Sequence, residues 1–192
     1  ILRVVAGTSW EQYRYEQVGA ENFDFTFDNT KWYDIAAGAW IKDGLANIWT
    51  GQTQSSLFGF FGRVNYNWRD MLFVSASIRR EASTKFGMNS RWGNFPSASI
   101  AWEMMEASFM DPAGEVVKSL KPRFSFGVTG REPSSSYQSL ATYSTKYQYF
   151  MDGEWVTGYA PSNNANPLLS WEKSVSYNIG VDFNLWNRLR GS

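Results

Sequence analysis

Carboxylates are the first candidates for acid–base chemistry in this sequence, because its 192 residues include neither histidine, the usual general base, nor cysteine. A Ser-His-Asp or Cys-His mechanism and a thiolate metal site are therefore excluded within this chain. Two carboxylates about 5–9.5 Å apart can hydrolyse glycosides, and Glu103, Glu172 and Asp182 are candidates for such a pair. Each lies in a repeating polar pattern, Glu103 on one predicted strand and Glu172 and Asp182 near opposite ends of another. We therefore predict no enzyme activity, metal or cofactor, and interpret these carboxylates as polar residues in contact with water.

The composition limits the possible partners. The chain has 18 basic and 18 acidic residues, so it offers no excess of positive charge to neutralise nucleic-acid phosphates. Aromatic residues make up 18% of the sequence and include ten tryptophans, far above ordinary usage. Such a composition is typical of a Trp-rich soluble β domain, or of a membrane protein whose aromatic rings lie at the lipid–water boundary.

Apolar and polar residues alternate with a period of two along most of residues 57–105. Leu72, Val74 and Ile78, for example, alternate with Ser75 and Ser77. This period indicates strands, because successive side chains of a strand point to opposite faces of its sheet. Runs of about ten residues with one apolar side suit a membrane barrel that has lipid outside and water inside.

The same alternation predicts six strands, followed by a seventh that begins at Leu189: 2–18, 57–68, 71–82, 95–105, 122–130 and 171–185. A short extra strand is predicted around Phe23, Phe25 and Phe27, and a helical turn near residues 115–118. No segment approaches the roughly 18 consecutive apolar residues of a membrane helix.

The connections between these strands are, in chain order, long, tight, medium, medium, long and tight. Outer-membrane barrels have short turns on the periplasmic side and long loops outside. On this rule, the predicted periplasmic connections are 67–70, 106–120 and 186–188. The predicted outward loops are 19–56, 83–94 and 131–169.

Five motifs follow one another along the predicted strands: FGRVNYN (61–67), SIRREASTKFG (77–87), WGNFPSASIAW (92–102), FGVTG (126–130) and NPLLSWEKSVSYNIGVDF (166–183). In order and residue type they resemble segments of the SusC/RagA family, the TonB-dependent outer-membrane transporters of Bacteroidetes. The departures are small: Glu81-Ala82 stands where Asp-Gly is usual, and Arg131-Glu132 follows the TG where Asn is common. The resemblance covers residues 58–183, and the first 56 residues carry little of it.

The resemblance implies a large outer-membrane barrel whose lumen is closed by an N-terminal plug. It also implies a SusD-like surface lipoprotein as a lid, and TonB-driven import of glycans, or of peptides in some members. The family's plug and TonB-contacting segment are absent from these 192 residues. We therefore expect an all-β, antiparallel transmembrane barrel segment of about six strands and a stub, out of about 22 in large transporters. Residues 1–192 then all belong to the barrel domain, and their end strands pair with the remaining strands of the same barrel.

A second function class stays open on the sequence alone: a soluble, non-catalytic, carbohydrate-binding β-sandwich. It would also be Trp-rich and free of cysteine. A sandwich buries its apolar faces against each other, whereas a barrel exposes a continuous apolar band to lipid. The position of the apolar face therefore distinguishes the two.

Three sets of residues have predicted roles in the barrel. The membrane girdle is predicted at the periplasmic ends of strands: Trp68, Trp102 and Trp186. Aromatic residues in the outward loops are candidates for contact with a ligand or with the lid, or for packing of the loops against each other: Trp92, Tyr143, Tyr147, Tyr149, Trp155 and Tyr159. Polar residues predicted to face the lumen are Arg63, Asn65, Ser75, Ser77, Arg79, Ser99, Glu103, Ser125, Ser176 and Asn178.

Overall fold

The computed structural model of the chain describes residues 1–27, 29 and 33–192. They divide into two compact units, residues 12–55 and residues 1–11 with 56–192. The strands in the described ranges are β1 (Leu2–Glu21), β2 (Asn47–Trp68), β3 (Leu72–Ser83), β4 (Trp92–Trp102), β5 (Val117–Arg131), β6 (Tyr143–Met151), β7 (Glu154–Pro161), β8 (Glu172–Leu185) and β9 (Leu189–Gly191). The helices are short 3-10 turns: Ile35–Ala37, Ala39–Ile41, Met104–Glu106 and Ser108–Ala113. Among the described residues, no helix has the length and apolar character to cross a membrane.

Seven strands form one sheet in the order β1-β2-β3-β4-β5-β8-β9, and β6 and β7 pair separately as a hairpin. Every pairing from β2 onwards is antiparallel. Six long strands in sequence order are thus followed by the three-residue strand β9. This arrangement confirms the predicted fold class of six antiparallel strands and a stub.

The register gives the sheet two faces of different polarity. On the apolar face, Val74 lies opposite Ile100, and Ile100 lies opposite Phe124. On the polar face, the hydroxyl groups of Ser75 and Ser99 are hydrogen-bonded at 2.7 Å across β3 and β4. A second pair, Ser77 and Ser97, repeats this bond at 2.7 Å. The two-residue period of the sequence is therefore kept in register from strand to strand.

The apolar face is not packed against other elements of the described chain. Ile78 is 54% exposed, Ile100 44% and Ile179 80%. A contiguous apolar surface on this scale is typical of a face that meets a partner or a membrane. It favours the barrel over the soluble sandwich, which would bury this face.

Two turns that share one conformation lie at the same end of the sheet, which we call the turn end. The opposite end, where the connections 84–91 and 132–171 lie, is the loop end. Arg69 and Asp70 between β2 and β3, and Trp186 and Asn187 between β8 and β9, have positive φ angles of 51°, 54°, 52° and 55°. In the first turn the Asn67 amide donates to the Asp70 carboxylate at 2.5 Å, and the Asp70 amide nitrogen donates back to the Asn67 side-chain oxygen at 3.0 Å. Asn and Asp tolerate the left-handed region because their side chains bond locally. The predicted tight turns are confirmed.

Three local predictions were wrong. Residues 23–27 form no strand. The helical turn predicted near 115–118 lies earlier in the chain: a 3-10 helix covers Ser108–Ala113, and the Val116 N–H donates to the Ala113 carbonyl at 3.0 Å. β5 already begins at Val117, whose β-branched side chain favours extended backbone. The predicted loop 19–56 is also shorter than expected, because β1 continues to Glu21 and β2 begins at Asn47. Part of that loop, residues 28 and 30–32, lies outside the described residues.

The predicted loop 131–169 contains the β6–β7 hairpin. Met151 pairs with Glu154, and Asp152 and Gly153 between them have φ angles of 54° and 87°. Two successive residues with positive φ are typical of the type I′ turn, whose preferred sequence includes Asp-Gly. The assignment of these residues to a loop was therefore wrong, although the Asp-Gly pair signals the hairpin.

The buried hydrophobic side chains of the described residues form a small cluster at the loop end of the sheet, with Phe86 at 1%, Phe95 at 7% and Trp171 at 8% exposure. The Phe86 and Phe95 rings lie 4.9 and 5.1 Å from the Trp171 ring. Trp171 also donates its indole N–H to the Arg91 carbonyl at 2.9 Å. The cluster thus joins the connection 84–91 to the segment that leads into β8.

We predict that Phe86→Ala loosens this end of the sheet. Truncating a fully buried Phe costs about 3–5 kcal/mol. In the full-length protein, amide hydrogen exchange over residues 84–91 should accelerate by about 100-fold or more, because local opening becomes easier. Phe109→Ala is the matched control, since Phe109 is 61% exposed. Equal exchange in the two variants would show that the cluster does not hold the loops.

Candidate transport surface

An ion pair lies on the polar face near the loop end. Arg79 and Glu81 are two residues apart on β3, and the Arg79 Nε–H donates to Glu81 Oε1 at 2.6 Å. The Arg79 Nη2 group also lies 3.5 Å from the Ser9 hydroxyl on β1. A Cβ atom at Gly59 would come within 3.1 Å of the Glu81 side chain, so Gly59 leaves room for this pair on β2.

A second ion pair lies on the polar face near the turn end. Arg123 Nη2 is 3.3 Å from Asp182 Oδ1, across β5 and β8. The Arg123 side chain lies over Gly180, where an added Cβ atom would overlap it. Lys121 places its ammonium 4.1 Å from the centroid of the Phe73 ring. Both ends of the polar face therefore carry charged side chains that lie along the sheet.

Between these pairs the polar face is concave, and its positive charge has no acidic partner among the described residues. Arg3, Asn65 and Ser99 help to line one depression, and Arg63 with Ser77 helps to line the next. Arg63 is exposed and has no ion pair within the described ranges. This surface can bind ligands by hydrogen bonds and charge, but it carries no nucleophile paired with a base.

The structure brings nine of the ten predicted lumen residues onto this one face. The cross-strand partners include Arg63–Ser77, Asn65–Ser75, Ser75–Ser99, Ser99–Ser125, Ser125–Asn178 and Gly127–Ser176, and Arg79 lies two residues beyond Ser77. Their orientation towards a lumen stays a prediction.

Glu103 is the exception. β4 ends at Trp102, so Glu103 lies in the connection to β5 and not on a strand as predicted. Its carboxylate accepts hydrogen bonds from the Ser119 hydroxyl at 2.9 Å and from the Leu120 N–H at 3.1 Å. Glu103 therefore fixes the connection against β5. The strand pattern failed here because the alternation continues for one residue beyond the last ladder pair.

The carboxylates on β8 are too far apart for glycoside hydrolysis with each other. Glu172 and Asp182 are ten residues apart on one strand, which is about 33 Å. A glycosidase pair needs about 5–9.5 Å. No group of three or more Asp, Glu, His or Cys residues that could hold a metal ion occurs in the described part of the chain.

The three predicted girdle tryptophans lie at the turn end. Trp68 pairs with Leu72 and Leu72 with Trp102, so both rings share one row of the apolar face. Trp186 lies in the β8–β9 turn, and its backbone N–H donates to the Val116 carbonyl at 2.8 Å. Their contact with lipid stays a prediction.

Trp92 was predicted to lie in an outward loop, but it is the first residue of β4. It lies on the apolar face in a group that we call the Trp92 cluster: Phe58, Phe60, Arg80 and Trp92. The Trp92 ring is parallel to the Phe60 ring within 9°, at a centroid distance of 6.4 Å. The Arg80 guanidinium lies 4.9 Å from the Trp92 centroid. Trp92 thus lies on the same face as the girdle residues, at the opposite end of the sheet.

The other predicted ligand residues come together on the β6–β7 hairpin. Tyr143, Tyr147 and Tyr149 lie on β6, Trp155 and Tyr159 lie on β7, and all five are exposed. The sequence analysis missed Phe150, whose ring lies 5.4 Å from the Trp155 ring. The Asp-Gly turn could have identified this pair, because it places Phe150 directly opposite Trp155. Their contact with a ligand or lid stays a prediction.

Comparison with known proteins identifies the family. Residues 2–192 match the family model "TonB dependent receptor-like, beta-barrel". The TonB-dependent receptor P39 of Formosa agariphila is 32% identical over 190 residues, which are 96% of this chain and 17% of that protein. The TonB-dependent receptor SusC of Bacteroides thetaiotaomicron is 29% identical over 138 residues, which are 70% of this chain and 14% of that protein.

A solved structure titled "Structure of the RagAB peptide transporter" has a similar fold. It superposes with a TM-score of 0.79 at 23% identity, over 97% of this chain and 20% of the matched chain. The chain thus spans a fifth or less of the length of these relatives. The antiparallel sheet, the family model and the SusC match agree with the resemblance of the motifs. The chain belongs to the TonB-dependent receptor β-barrel family and is of the SusC/RagA type.

Proposed function

We propose that this chain forms part of the wall of an outer-membrane importer that takes up glycans or peptides. The proposal rests on the different polarity of the two faces of one sheet. Its apolar face is exposed at Ile78, Ile100 and Ile179, and its opposite face carries hydrogen-bonded serines and arginines. A sheet between lipid and a water-filled lumen needs this division. All 192 residues then belong to the barrel domain.

The spacing of the tryptophans supports a position across the membrane. Trp92 and Trp102 lie on the apolar face at the two ends of β4 and are ten residues apart. Ten strand residues extend about 33 Å. At a strand tilt of about 40°, this length corresponds to a height of about 25 Å, which is the height of the apolar band in outer-membrane barrels.

The lengths of the connections support an orientation. The tight turns 69–71 and 186–188 share one end of the sheet with the medium connection 103–116, while 84–91 and the long connection 132–171 lie at the other end. In outer-membrane barrels the short turns face the periplasm. The β6–β7 hairpin would then project outwards, where substrate and a SusD-like lipoprotein approach. TonB would act through a plug domain that these residues do not contain.

Transport requires binding and gating but no bond chemistry, which is consistent with the separated carboxylates of this chain. The hairpin offers flat aromatic surfaces at Tyr149, Phe150 and Trp155. Such rings stack on the apolar faces of sugar rings, which favours glycans as substrates. Peptides are the second candidate, because the RagAB structure of similar fold is titled a peptide transporter.

Cysteine labelling should distinguish the two faces of the sheet. We predict that, in a cysteine-free background of the full-length protein in membranes, a charged maleimide labels Ser75→Cys and Ser99→Cys about tenfold or more faster than Val74→Cys and Ile100→Cys. The reason is that the apolar positions lie within hydrocarbon, which excludes charged reagents.

Each serine position has its control in the neighbouring residue of the same strand. The pairs therefore share depth in the membrane and differ only in the face of the sheet. Faster labelling of Val74→Cys and Ile100→Cys would reverse the proposed orientation of the faces.

Removing the aromatic surface of the hairpin should weaken uptake. We predict that Phe150→Ala combined with Trp155→Ala, which removes the two rings packed on one face of the hairpin, lowers the uptake of a fluorescent oligosaccharide mixture by about tenfold, since large aromatic contacts dominate binding energy. A parallel mixture of labelled peptides identifies the substrate class, because only the class that stacks on these rings should be affected.

The control for this experiment is Phe109→Ala, which removes an exposed ring that packs 6.0 Å from Trp102 at the turn end. Both variants should assemble into the membrane at wild-type levels. Unchanged uptake of both mixtures in the hairpin variant would remove β6 and β7 from the substrate path.

A further inference from the structure

Two successive arginines of β3 lie on opposite faces of the sheet. Arg79 is neutralised by Glu81 on the polar face. Arg80 lies on the apolar face, where its cross-strand partners are Phe60 and Asn94. Within the part of the chain that the structure describes, Arg80 has no carboxylate partner. A cation on the lipid face is unfavourable in the middle of the membrane but nearly neutral close to the membrane boundary, where its charged end can reach polar groups. An unpaired guanidinium near this boundary is therefore free to bind an anion from outside the sheet.

The Trp92 cluster leaves the edge of the Arg80 guanidinium available. The guanidinium lies over the Trp92 ring, 4.9 Å from its centre, and is held there by a cation–π interaction. The five N–H donors of a guanidinium point outwards in its own plane. Those donors suit a bidentate acceptor such as phosphate.

The height of Arg80 on the strand fits a lipid headgroup. Arg80 lies eight residues from Leu72, the residue that shares a row with Trp68 and Trp102. Eight residues extend about 26 Å along a strand, or about 20 Å in height at a tilt of about 40°. The long side chain can extend its charged end the remaining few ångströms to the boundary of an apolar band about 25 Å tall.

The surface below Arg80 fits the acyl chains of the same lipid. Ile78 lies two residues nearer the turn end on the same face, and it is 54% exposed. Val64 and Phe60 continue this apolar surface on β2. A headgroup at Arg80 would therefore place its hydrocarbon against residues that water solvates poorly.

We propose that the Trp92 cluster is a binding site for the headgroup phosphate of an anionic lipid in the outward leaflet, and that Arg80 is the residue that binds the phosphate. The site rests on the membrane position proposed above. Trp92 orients the guanidinium, and the Phe58 and Phe60 rings lie against Trp92 at centroid distances of 6.5 and 6.4 Å. The site differs from the substrate path, because it lies on the opposite face of the sheet from Arg63 and Ser77.

The test measures lipid binding to the purified full-length transporter in a non-ionic detergent. Native mass spectrometry gives the affinity of the first bound phosphatidic acid, and diacylglycerol with the same acyl chains is the lipid without phosphate. We expect Arg80→Gln to weaken phosphatidic acid binding by about tenfold, as expected for a lost charge-assisted hydrogen bond. Arg80→Lys should lose less than about threefold, because it keeps the charge.

Arg79→Gln is the matched control, since it removes the neighbouring arginine on the opposite face and should leave lipid binding unchanged. Equal binding by wild type and Arg80→Gln would overturn the proposal, and so would an equal loss in Arg79→Gln or in Arg80→Lys. Equal affinity for diacylglycerol would show that no phosphate is recognised. Displacement of the lipid by millimolar inorganic phosphate would indicate a site for free phosphate instead.

The same experiment separates this inference from the proposed function. If the membrane position were wrong, the wild-type protein would remain monomeric without detergent and would bind neither lipid. If only the lipid site were wrong, the protein would still require detergent and would bind phosphatidic acid independently of Arg80.

Discussion

The structure depends on backbone pairing that keeps two faces of opposite polarity in register. A slip of one residue in any strand would move its apolar side chains to the polar face and its arginines to the apolar face. The pairs Ser75–Ser99 and Ser77–Ser97 mark the correct register, because each joins two hydroxyl groups at 2.7 Å. A slipped strand would lose these bonds and expose Arg63 to hydrocarbon. Membrane sheets carry this constraint in its strictest form, since lipid cannot solvate an unpaired backbone group.

Residues of the family motifs account for the local packing at the loop end. Phe86, Phe95 and Trp171 come from three different motifs and form one buried cluster. Gly93 belongs to the motif of Phe95 and Gly130 to the FGVTG motif, and a Cβ atom at either would overlap the Phe95 ring. These residues hold the outward connections against the sheet. The motifs therefore encode a scaffold for loops, while the loops carry the aromatic surfaces that we assign to binding.

The fold could be predicted where alternation is strict and one face is apolar. β3 begins and ends within one residue of its predicted bounds, and β8 within one residue as well. The prediction failed where a strand has polar residues on both faces, as in the part of β2 before Leu57, because periodicity then carries no signal. The predicted residues of the polar face were brought together by register alone. Glu103 and Trp92 were misplaced because both lie at strand ends, where the pattern does not show which residue makes the last pair.

The roles of side chains at the ends of the sheet could be assigned only from the three-dimensional arrangement. The sequence shows Arg79 and Arg80 as one basic pair, and only the positions of Glu81 and Trp92 show that one arginine is neutralised and the other is not. Likewise, the hairpin aromatics appeared as scattered loop residues until the Asp152–Gly153 turn placed them on two paired strands. Long-range pairing determines such groupings, and spacing along the chain does not reveal it.

We infer that the apolar face of this sheet is stable only against lipid. The most direct measurement is the behaviour of residues 1–192 expressed alone, by size-exclusion chromatography and near-ultraviolet circular dichroism with and without detergent. We predict aggregated or unfolded protein in water, since the exposed apolar face and the open strand edges would have no partner. A soluble monomer that unfolds cooperatively without detergent would contradict it.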